Sequence, residues 1–213
     1  MAWVDYIKEH IRGKTLYRIL FQQELFRNRI YIKGTVLDIG SGGNPSYVKY
    51  LPTNIEYIKS DYIEKNGVKN VVDFNKTLPF DDESMDTIFL FHNIYIAEDI
   101  HKTLFEVKRI LKPEGVVLIS SPFGMNVMAE PHDYVRYTKE GLHRLVGEFF
   151  KIEKVAMLGD RFSVSANSFH AFFLIWPIRI IINTLALFFD KLIPKGMKKN
   201  HPFPIGYFYV ARK

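Results

Sequence analysis

The feature that most constrains the fold is a series of short apolar strands separated by helical segments. Val116–Ile119 contains no polar side chain, and strands that are apolar on both faces are typical of a parallel sheet covered by helices on two sides. We therefore predict an α/β fold with a doubly wound, mostly parallel, seven-stranded sheet. The predicted strands are 35–39, 55–60, 68–74, 85–92, 116–119, 152–158 and 207–212.

The 213 residues fit a single domain, because domains commonly contain about 100–200 residues. Apolar residues at helical spacing predict helices over 97–111 and from about 138 to 150. The predicted parts of the domain are N-terminal helices in 1–33, a ligand-binding core in 34–158, a helical insertion in 160–205 and the final strand in 206–213.

The charge of the chain is unevenly distributed. Of 29 lysines and arginines and 23 aspartates and glutamates, residues 160–213 contain 8 and 2, which leaves 21 of each for residues 1–159. A neutral body with one basic, apolar end argues against nucleic acid as the partner and indicates a local attachment or substrate region.

Two further features of composition limit the chemistry and the location. The absence of cysteine excludes disulfides, thiolate nucleophiles and cysteine-bound zinc, and we predict no metal site. Charges at Asp5, Lys8 and Glu9 interrupt the region where a secretion signal needs an apolar run. We therefore expect a cytoplasmic protein.

A glycine loop follows the first predicted strand in the segment VLDIGSGGNP, residues 36–45. Gly40 and Gly42 allow positive φ angles and close approach of a ligand to the backbone. Pro45 occupies the position where a dinucleotide loop would have its third glycine, and the carboxylate of Asp38 would repel a pyrophosphate but attract an ammonium group. Both points favour S-adenosylmethionine over NAD, although an NAD-dependent oxidoreductase remains an alternative.

Acidic residues also stand at the ends of the next two predicted strands. Asp61 is placed to accept hydrogen bonds from two ribose hydroxyls. Asp73 is placed to accept a hydrogen bond from an adenine amino group, with Phe74 beside the ring.

Several motifs in this order resemble those of class I S-adenosylmethionine-dependent methyltransferases with a methyltransferase type 11-like domain, which act on small molecules. The matching segments are VLDIGSGGNP, SDY, VVDF, LPFDDESMDTIFLFHNI and LFEVKRILKPEGVVLISSP. The resemblance implies a Rossmann-like methyltransferase fold and S-adenosylmethionine as the cofactor. It also implies that Asp38, Gly40 and Gly42 contact the methionine part, Asp61 and Tyr62 the ribose, Asp73 and Phe74 the adenine, and that His92 and Asn93 border the sulfonium. Asn44 and Met85 depart from the family pattern, which often has a glycine and an aromatic residue there.

The segment after the fifth strand is expected to face the methyl acceptor. His132 is suited to act as a general base, with Asp133 orienting it or acting itself. Arg136 is suited to bind a carboxylate or phosphate of the acceptor. The alternative is structural, with Arg136 paired to Asp133 or Glu130 so that the loop is held in place.

Residues 171–189 form an apolar segment in which Arg179 and Asn183, together with Asp190 just beyond it, fall on one helical stripe, whereas Thr184 does not. As a helix, Arg179, Asn183, Ala186 and Asp190 lie within about 60° of one another. Arg179 and Pro177 argue against a membrane span. The open alternatives are a two-helix cap over the acceptor pocket, a homodimer contact, or a peripheral membrane surface formed by 171–199, whose Lys191, Lys195, Lys198 and Lys199 would contact anionic groups.

We therefore expect methyl transfer by direct displacement to an oxygen or nitrogen of a small-molecule or lipid-linked acceptor. A membrane-associated or scaffolding protein that retains the nucleotide site without catalysis is the alternative from another class. No nucleic-acid partner is expected, because no segment interleaves aromatic residues with a basic groove.

Overall fold

The computed structural model describes residues 3–64, 67–68, 70–128, 132–170 and 175–213. Within these residues the strands are β1 Thr35–Ile39, β2 Glu56–Asp61, β3 Asn70–Val71, β4 Met85–Phe91, β5 Leu111–Pro122, β6 Lys151–Leu158 and β7 Gly206–Arg212. The α-helices are α1 Trp3–Ile11, α2 Leu16–Arg27, α3 Ile100–Ile110, α4 Lys139–Gly147, α5 Arg161–Ser168, α6 Trp176–Leu192 and α7 Lys195–Asn200.

The strands of the described residues form one seven-stranded sheet in the order β3-β2-β1-β4-β5-β7-β6. The strands β3, β2, β1, β4 and β5 are parallel to one another, whereas β7 is antiparallel to both of its neighbours. The prediction of a doubly wound, mostly parallel sheet is confirmed. The chain order reverses beside β1, which is where ligands bind in folds of this type.

Each face of the sheet has its own hydrophobic core. On one face, α3 and α4 pack against the strands through residues such as Leu104 and Leu142. On the other face, α2, α5 and α6 contribute Phe21, Val164 and Ala186. Helices on both faces explain why the central strands are apolar on both sides.

Some element boundaries differ from those predicted. Asp73 does not end the third strand as expected, because this edge strand pairs with β2 at only two positions, Ser60 with Asn70 and Asp61 with Val71. The helix predicted over 97–111 begins only at Ile100, since the side chain of Asp99 accepts a hydrogen bond from the Lys102 amide and caps it.

The insertion between β6 and β7 joins the sheet at the edge where β1, β2, β4 and β5 have their carboxyl ends. The Phe123 amide, just after β5, donates to the Ile205 carbonyl at 2.7 Å, and the Ile205 amide donates to the Leu158 carbonyl at 2.9 Å. The base of the insertion therefore lies beside the edge at which a ligand is expected.

The main helix of the insertion has its polar stripe on the inside. Asn183 and Asp190 are buried. Asn183 Nδ2 lies 2.8 Å from His10 Nε2 of α1, and Asp190 accepts hydrogen bonds from the amides of Asp160 and Phe162, both at 2.9 Å. The sequence predicted which residues form this stripe, but it did not predict that the stripe faces the protein interior. The helix begins at Trp176, and residues 171–174 of the predicted apolar segment lie outside the described residues.

None of the helices among the described residues is both long and apolar enough to cross a membrane.

Candidate active site

The glycine loop after β1 is held on the end of β2 by hydrogen bonds that its backbone amides donate. Gly40 and Gly42 have φ angles of 74° and 69°, which residues with a Cβ atom rarely adopt. The Gly42 amide donates to Asp61 Oδ2 at 2.8 Å, and the Ser41 amide donates to the Ser60 carbonyl at 2.9 Å. The loop therefore depends on the same carboxylate that the sequence assigned to the ribose.

Asp38 is fully buried at the base of this loop. Its Oδ2 accepts hydrogen bonds from the hydroxyls of Tyr47, at 2.6 Å, and Tyr57. Its Oδ1 has no hydrogen-bond partner within the described part of the chain. Burial raises the pKa of Asp38 to about 7, even though the two tyrosine hydroxyls favour the charged form. A cation placed at Oδ1 would stabilise the carboxylate.

Asn93 follows β4 and reaches across to β1. Its Nδ2 donates to the Ile39 carbonyl at 2.6 Å, while its Oδ1 is buried and lacks a partner among the described residues. A Cβ at Gly40 would lie 3.2 Å from Asn93 Nδ2. The glycine therefore also leaves room for this side chain.

His92 occupies the left-handed region with a φ of 60°, an uncommon conformation for a residue with a side chain. Its backbone amide donates to the Ser120 carbonyl of β5 at 2.9 Å. Its Nδ1 lies 2.8 Å from the Tyr17 hydroxyl, which also lies 3.3 Å from Ser120 Oγ. The imidazole nitrogens are shielded although the residue retains some exposure, and Nε2 lacks a partner in the described residues. Burial, with a contribution from the charge of Arg18, holds the pKa of His92 well below its ordinary value, so its ring is neutral at pH 7.

Tyr62, Asp73 and Phe74 are less clearly directed at a ligand. Tyr62 is exposed next to Asp61. Asp73 accepts a hydrogen bond from the Asn75 amide at 3.0 Å and pairs with Lys76 at 3.2 Å, whereas Phe74 is buried in the hydrophobic core.

The loop proposed to face the acceptor is held by an internal ion pair. Arg136 pairs with both carboxylate oxygens of Asp133, which also accepts a hydrogen bond from the Met128 amide at 2.9 Å. The Arg136 guanidinium lies over the Tyr95 ring at 5.1 Å. The pairing of Arg136 with Asp133 matches the structural alternative that the sequence left open for these two residues. His132 is exposed and stacks on Tyr134 with 5.1 Å between ring centres, and the neighbouring residues 129–131 lie outside the described residues.

Sequence reasoning missed the tyrosines that support the site. Tyr57 lies on β2 opposite Val36, and Tyr47 follows the glycine loop. Tyr17 belongs to α2. In the sequence, each of these tyrosines occupies a position that looks like any other residue of the hydrophobic core. Only the register of β1 against β2 brings Tyr57 close to Asp38.

The arrangement fits the amino-acid part of S-adenosylmethionine. A buried carboxylate oxygen on Asp38 and a buried amide oxygen on Asn93 are both without partners in the described residues, and both are hydrogen-bond acceptors suited to an ammonium group. Within the described residues, no three side chains of histidine, aspartate or glutamate lie together in a group that could hold a metal ion.

Part of the chain is similar in sequence to known proteins. Residues 37–119 match the sequence model of the methyltransferase domain family. An uncharacterised protein of Methanocaldococcus jannaschii is 29% identical over 119 residues, which are 54% of this chain and 58% of that protein. The matched segment is therefore less than two thirds of that relative's length.

Two solved structures share the fold. A S-adenosylmethionine-dependent methyltransferase from Archaeoglobus fulgidus superimposes with a TM-score of 0.62 at 18% identity, covering 100% of both chains. Phosphoethanolamine N-methyltransferase 2 of Haemonchus contortus, solved with S-adenosyl-L-methionine, superimposes with a TM-score of 0.58 at 16% identity over 91% of this chain and 52% of that one.

The fold is Rossmann-like, and the glycine loop after β1 lies at the edge of the sheet where ligands bind in such folds. Residues 37–119 are therefore similar to the methyltransferase domain family, and the fold around them is shared with S-adenosylmethionine-dependent methyltransferases of known structure.

Proposed function

We propose that this protein transfers a methyl group from S-adenosylmethionine to an oxygen or nitrogen of a small-molecule or lipid-linked acceptor by direct displacement. The observation that supports the proposal best is the cluster of partnerless buried atoms at the ends of β1 and β4. These are Asp38 Oδ1, His92 Nε2 and Asn93 Oδ1, all within the described residues. Buried polar atoms are usually hydrogen-bonded, so a ligand that supplies partners is expected here.

In this proposal Asp38, Gly40 and Gly42 bind the methionine part of the donor. Asp61 and Tyr62 bind the ribose, and Asp73 and Phe74 border the adenine. His92 and Asn93 lie next to the sulfonium. When bound, S-adenosylmethionine supplies an electrophilic methyl group, so the protein's main tasks are to align the acceptor and to exclude water.

The three predicted residues of the acceptor loop have different roles in this proposal. The Asp133–Arg136 pair positions the loop against Tyr95. His132 is the proposed base, because its exposed imidazole is not engaged by the ion pair. A base is needed only where the acceptor group must lose a proton.

The donor site is tested first, by titration calorimetry of the purified protein with S-adenosylhomocysteine and, separately, with NAD. We expect binding of S-adenosylhomocysteine that is weakened by Asp38→Asn. Binding of NAD alone would overturn the proposal in favour of an oxidoreductase.

Turnover is tested next, by a screen of amine, hydroxyl and carboxylate acceptors, free and lipid-linked, with release of S-adenosylhomocysteine as the readout. The variant His132→Ala is compared with wild type on the acceptor found, and donor affinity is measured in parallel. We expect a lower turnover with unchanged donor affinity. Unchanged turnover would exclude His132 as the base, and a failure of every acceptor would favour the non-catalytic alternative.

A further inference from the structure

The outer side of α6 presents a continuous row of large apolar side chains to solvent. We call this row the apolar face; its members are between 43% and 62% exposed and are Ile178, Ile181, Leu185, Phe188, Phe189 and Leu192. All of them except Phe189 recur every three or four residues, so they share one side of the helix, and Phe189 lies next to Phe188. Exposed apolar patches of this kind on a folded protein commonly mark an interaction site.

The direction of this face is fixed by the polar groups on the other side of the helix. Asp190 caps α5 through hydrogen bonds to the Asp160 and Phe162 amides, and Asn183 contacts His10 of α1. If α6 were turned round, the apolar face would point inward, and Asp190 and Asn183 would leave their hydrogen-bond partners in α5 and α1. Each buried polar group left without a partner costs free energy. The packing therefore holds the apolar face outward.

The exposed charges that residues 160–205 place beside the apolar face are positive. The two acidic residues of 160–205, Asp160 and Asp190, are both buried. Lys191, Lys195 and Lys199 are exposed, and within the described residues they form no ion pair with a carboxylate. A second copy of this face would offer no exposed carboxylate from 160–205 to pair with these lysines. An anionic lipid surface provides both an apolar layer and negative charge.

We infer that the apolar face docks on the surface of an anionic bilayer, with the side chains of α6 inserted among the lipids and the lysines of α6 and α7 at the headgroups. A groove of about 300 Å³ between α5 and α6, lined by Phe162, Phe169 and Leu185 among other mainly apolar side chains, adds depth to this surface. The helix lies along the surface in this arrangement and does not span the membrane.

Docking would bring the methyl-transfer site close to the lipid. The insertion joins the sheet at its ligand-binding edge, and Asn167 of α5 accepts a hydrogen bond from the Tyr17 amide at 3.1 Å. Tyr17 in turn contacts His92. This part of the inference rests on the proposed function and narrows the acceptor to an amphiphilic or lipid-linked molecule.

The test is flotation of the full chain with phosphatidylcholine vesicles that either contain or lack phosphatidylglycerol. We expect binding to the anionic vesicles and little binding to the neutral ones. The triple variant Ile181→Ser/Leu185→Ser/Phe188→Ser should bind on the order of a hundredfold more weakly, because three inserted apolar side chains are lost. Lys195→Gln/Lys198→Gln/Lys199→Gln should lose about fivefold in affinity per lysine for anionic vesicles.

The matched control combines Phe105→Ser with Lys102→Gln on α3. This helix packs on the opposite face of the sheet, and its Phe105 side chain is 61% exposed. It should bind vesicles as wild type does. Circular dichroism and S-adenosylhomocysteine affinity verify that every variant is folded and keeps its donor site, so that a failure of docking is distinguished from a failure of the methyltransferase assignment.

Three results would overturn the inference. One is that wild-type protein does not float with anionic vesicles. Another is that the triple variant floats as well as wild type. The third is a wild-type dimer in sedimentation velocity that the triple variant dissociates without any vesicle binding, since a second copy of the chain would then occupy the apolar face.

Discussion

Replacing Asp38 by asparagine tests the electrostatics of the proposed donor site in the absence of any ligand. Burial raises the pKa of this carboxyl from 3.8 to about 7 in the folded protein. The folded state therefore holds the Asp38 proton more tightly than the unfolded state does. The stability that this proton contributes is fully present below about pH 4 and is lost as the pH rises towards 7.

The size of the effect follows from the difference between the two pKa values. Each pH unit corresponds to about 1.4 kcal/mol, which gives about 4 kcal/mol in total and about 2.5 kcal/mol between pH 5 and pH 8. Asparagine does not titrate in this range. The free energy of unfolding of Asp38→Asn relative to wild type should therefore rise by about 2.5 kcal/mol from pH 5 to pH 8.

Urea unfolding followed by circular dichroism, at both pH values and without donor, measures this difference. Taking the difference between variant and wild type cancels the titration of the other groups. The variant Tyr57→Phe removes a hydrogen bond that favours the charged carboxylate, so its pH dependence should extend to higher pH than that of wild type. Equal pH dependence of wild type and Asp38→Asn would refute the reasoning.

Three further predictions concern other parts of the site and its supports. Asp190→Ala should lower the stability by about 3 kcal/mol, because the buried amides that Asp190 caps lose their acceptor; thermal unfolding measures this, and a Tm equal to that of wild type would contradict it. Gly40→Ala should cost about 1–2 kcal/mol through its positive φ and should weaken S-adenosylhomocysteine binding in calorimetry, whereas unchanged affinity would argue against a role for the loop. Tyr17→Phe should shift the nitrogen NMR signals of the His92 ring, because the hydroxyl at 2.8 Å is lost, and unchanged signals would show that this contact is absent in solution.

The fold was predictable because its signals are local. Val116–Ile119 and the other apolar strands predict burial on both faces of the sheet, and the glycines after Ile39 predict the turn that follows β1. Asp61 also ends β2 as expected. These features depend on composition and spacing along a few residues, which sequence patterns describe well.

The partners of the site residues were not predictable, because they are distant along the chain. The contact between Asp38 and Tyr57 depends on the register of β1 against β2. The inward direction of the α6 stripe depends on Asp190 capping a helix that begins about thirty residues earlier. A helical wheel identifies which residues share a face, but only the packing partners decide which face is buried.

Tyr17 connects the insertion to the proposed donor site, and this connection can be measured. Tyr17 is held from two sides, since its amide donates to Asn167 Oδ1 of α5 and its hydroxyl lies against His92 Nδ1. Asn167→Ala leaves the buried amide without this acceptor, which should cost about 1–2 kcal/mol and loosen the Tyr17 ring. The nitrogen NMR signals of His92 should then shift in the same direction as in Tyr17→Phe, although the substituted residue lies on another helix. A loss of stability without any change at His92 would mean that α5 supports the fold but does not communicate with the site.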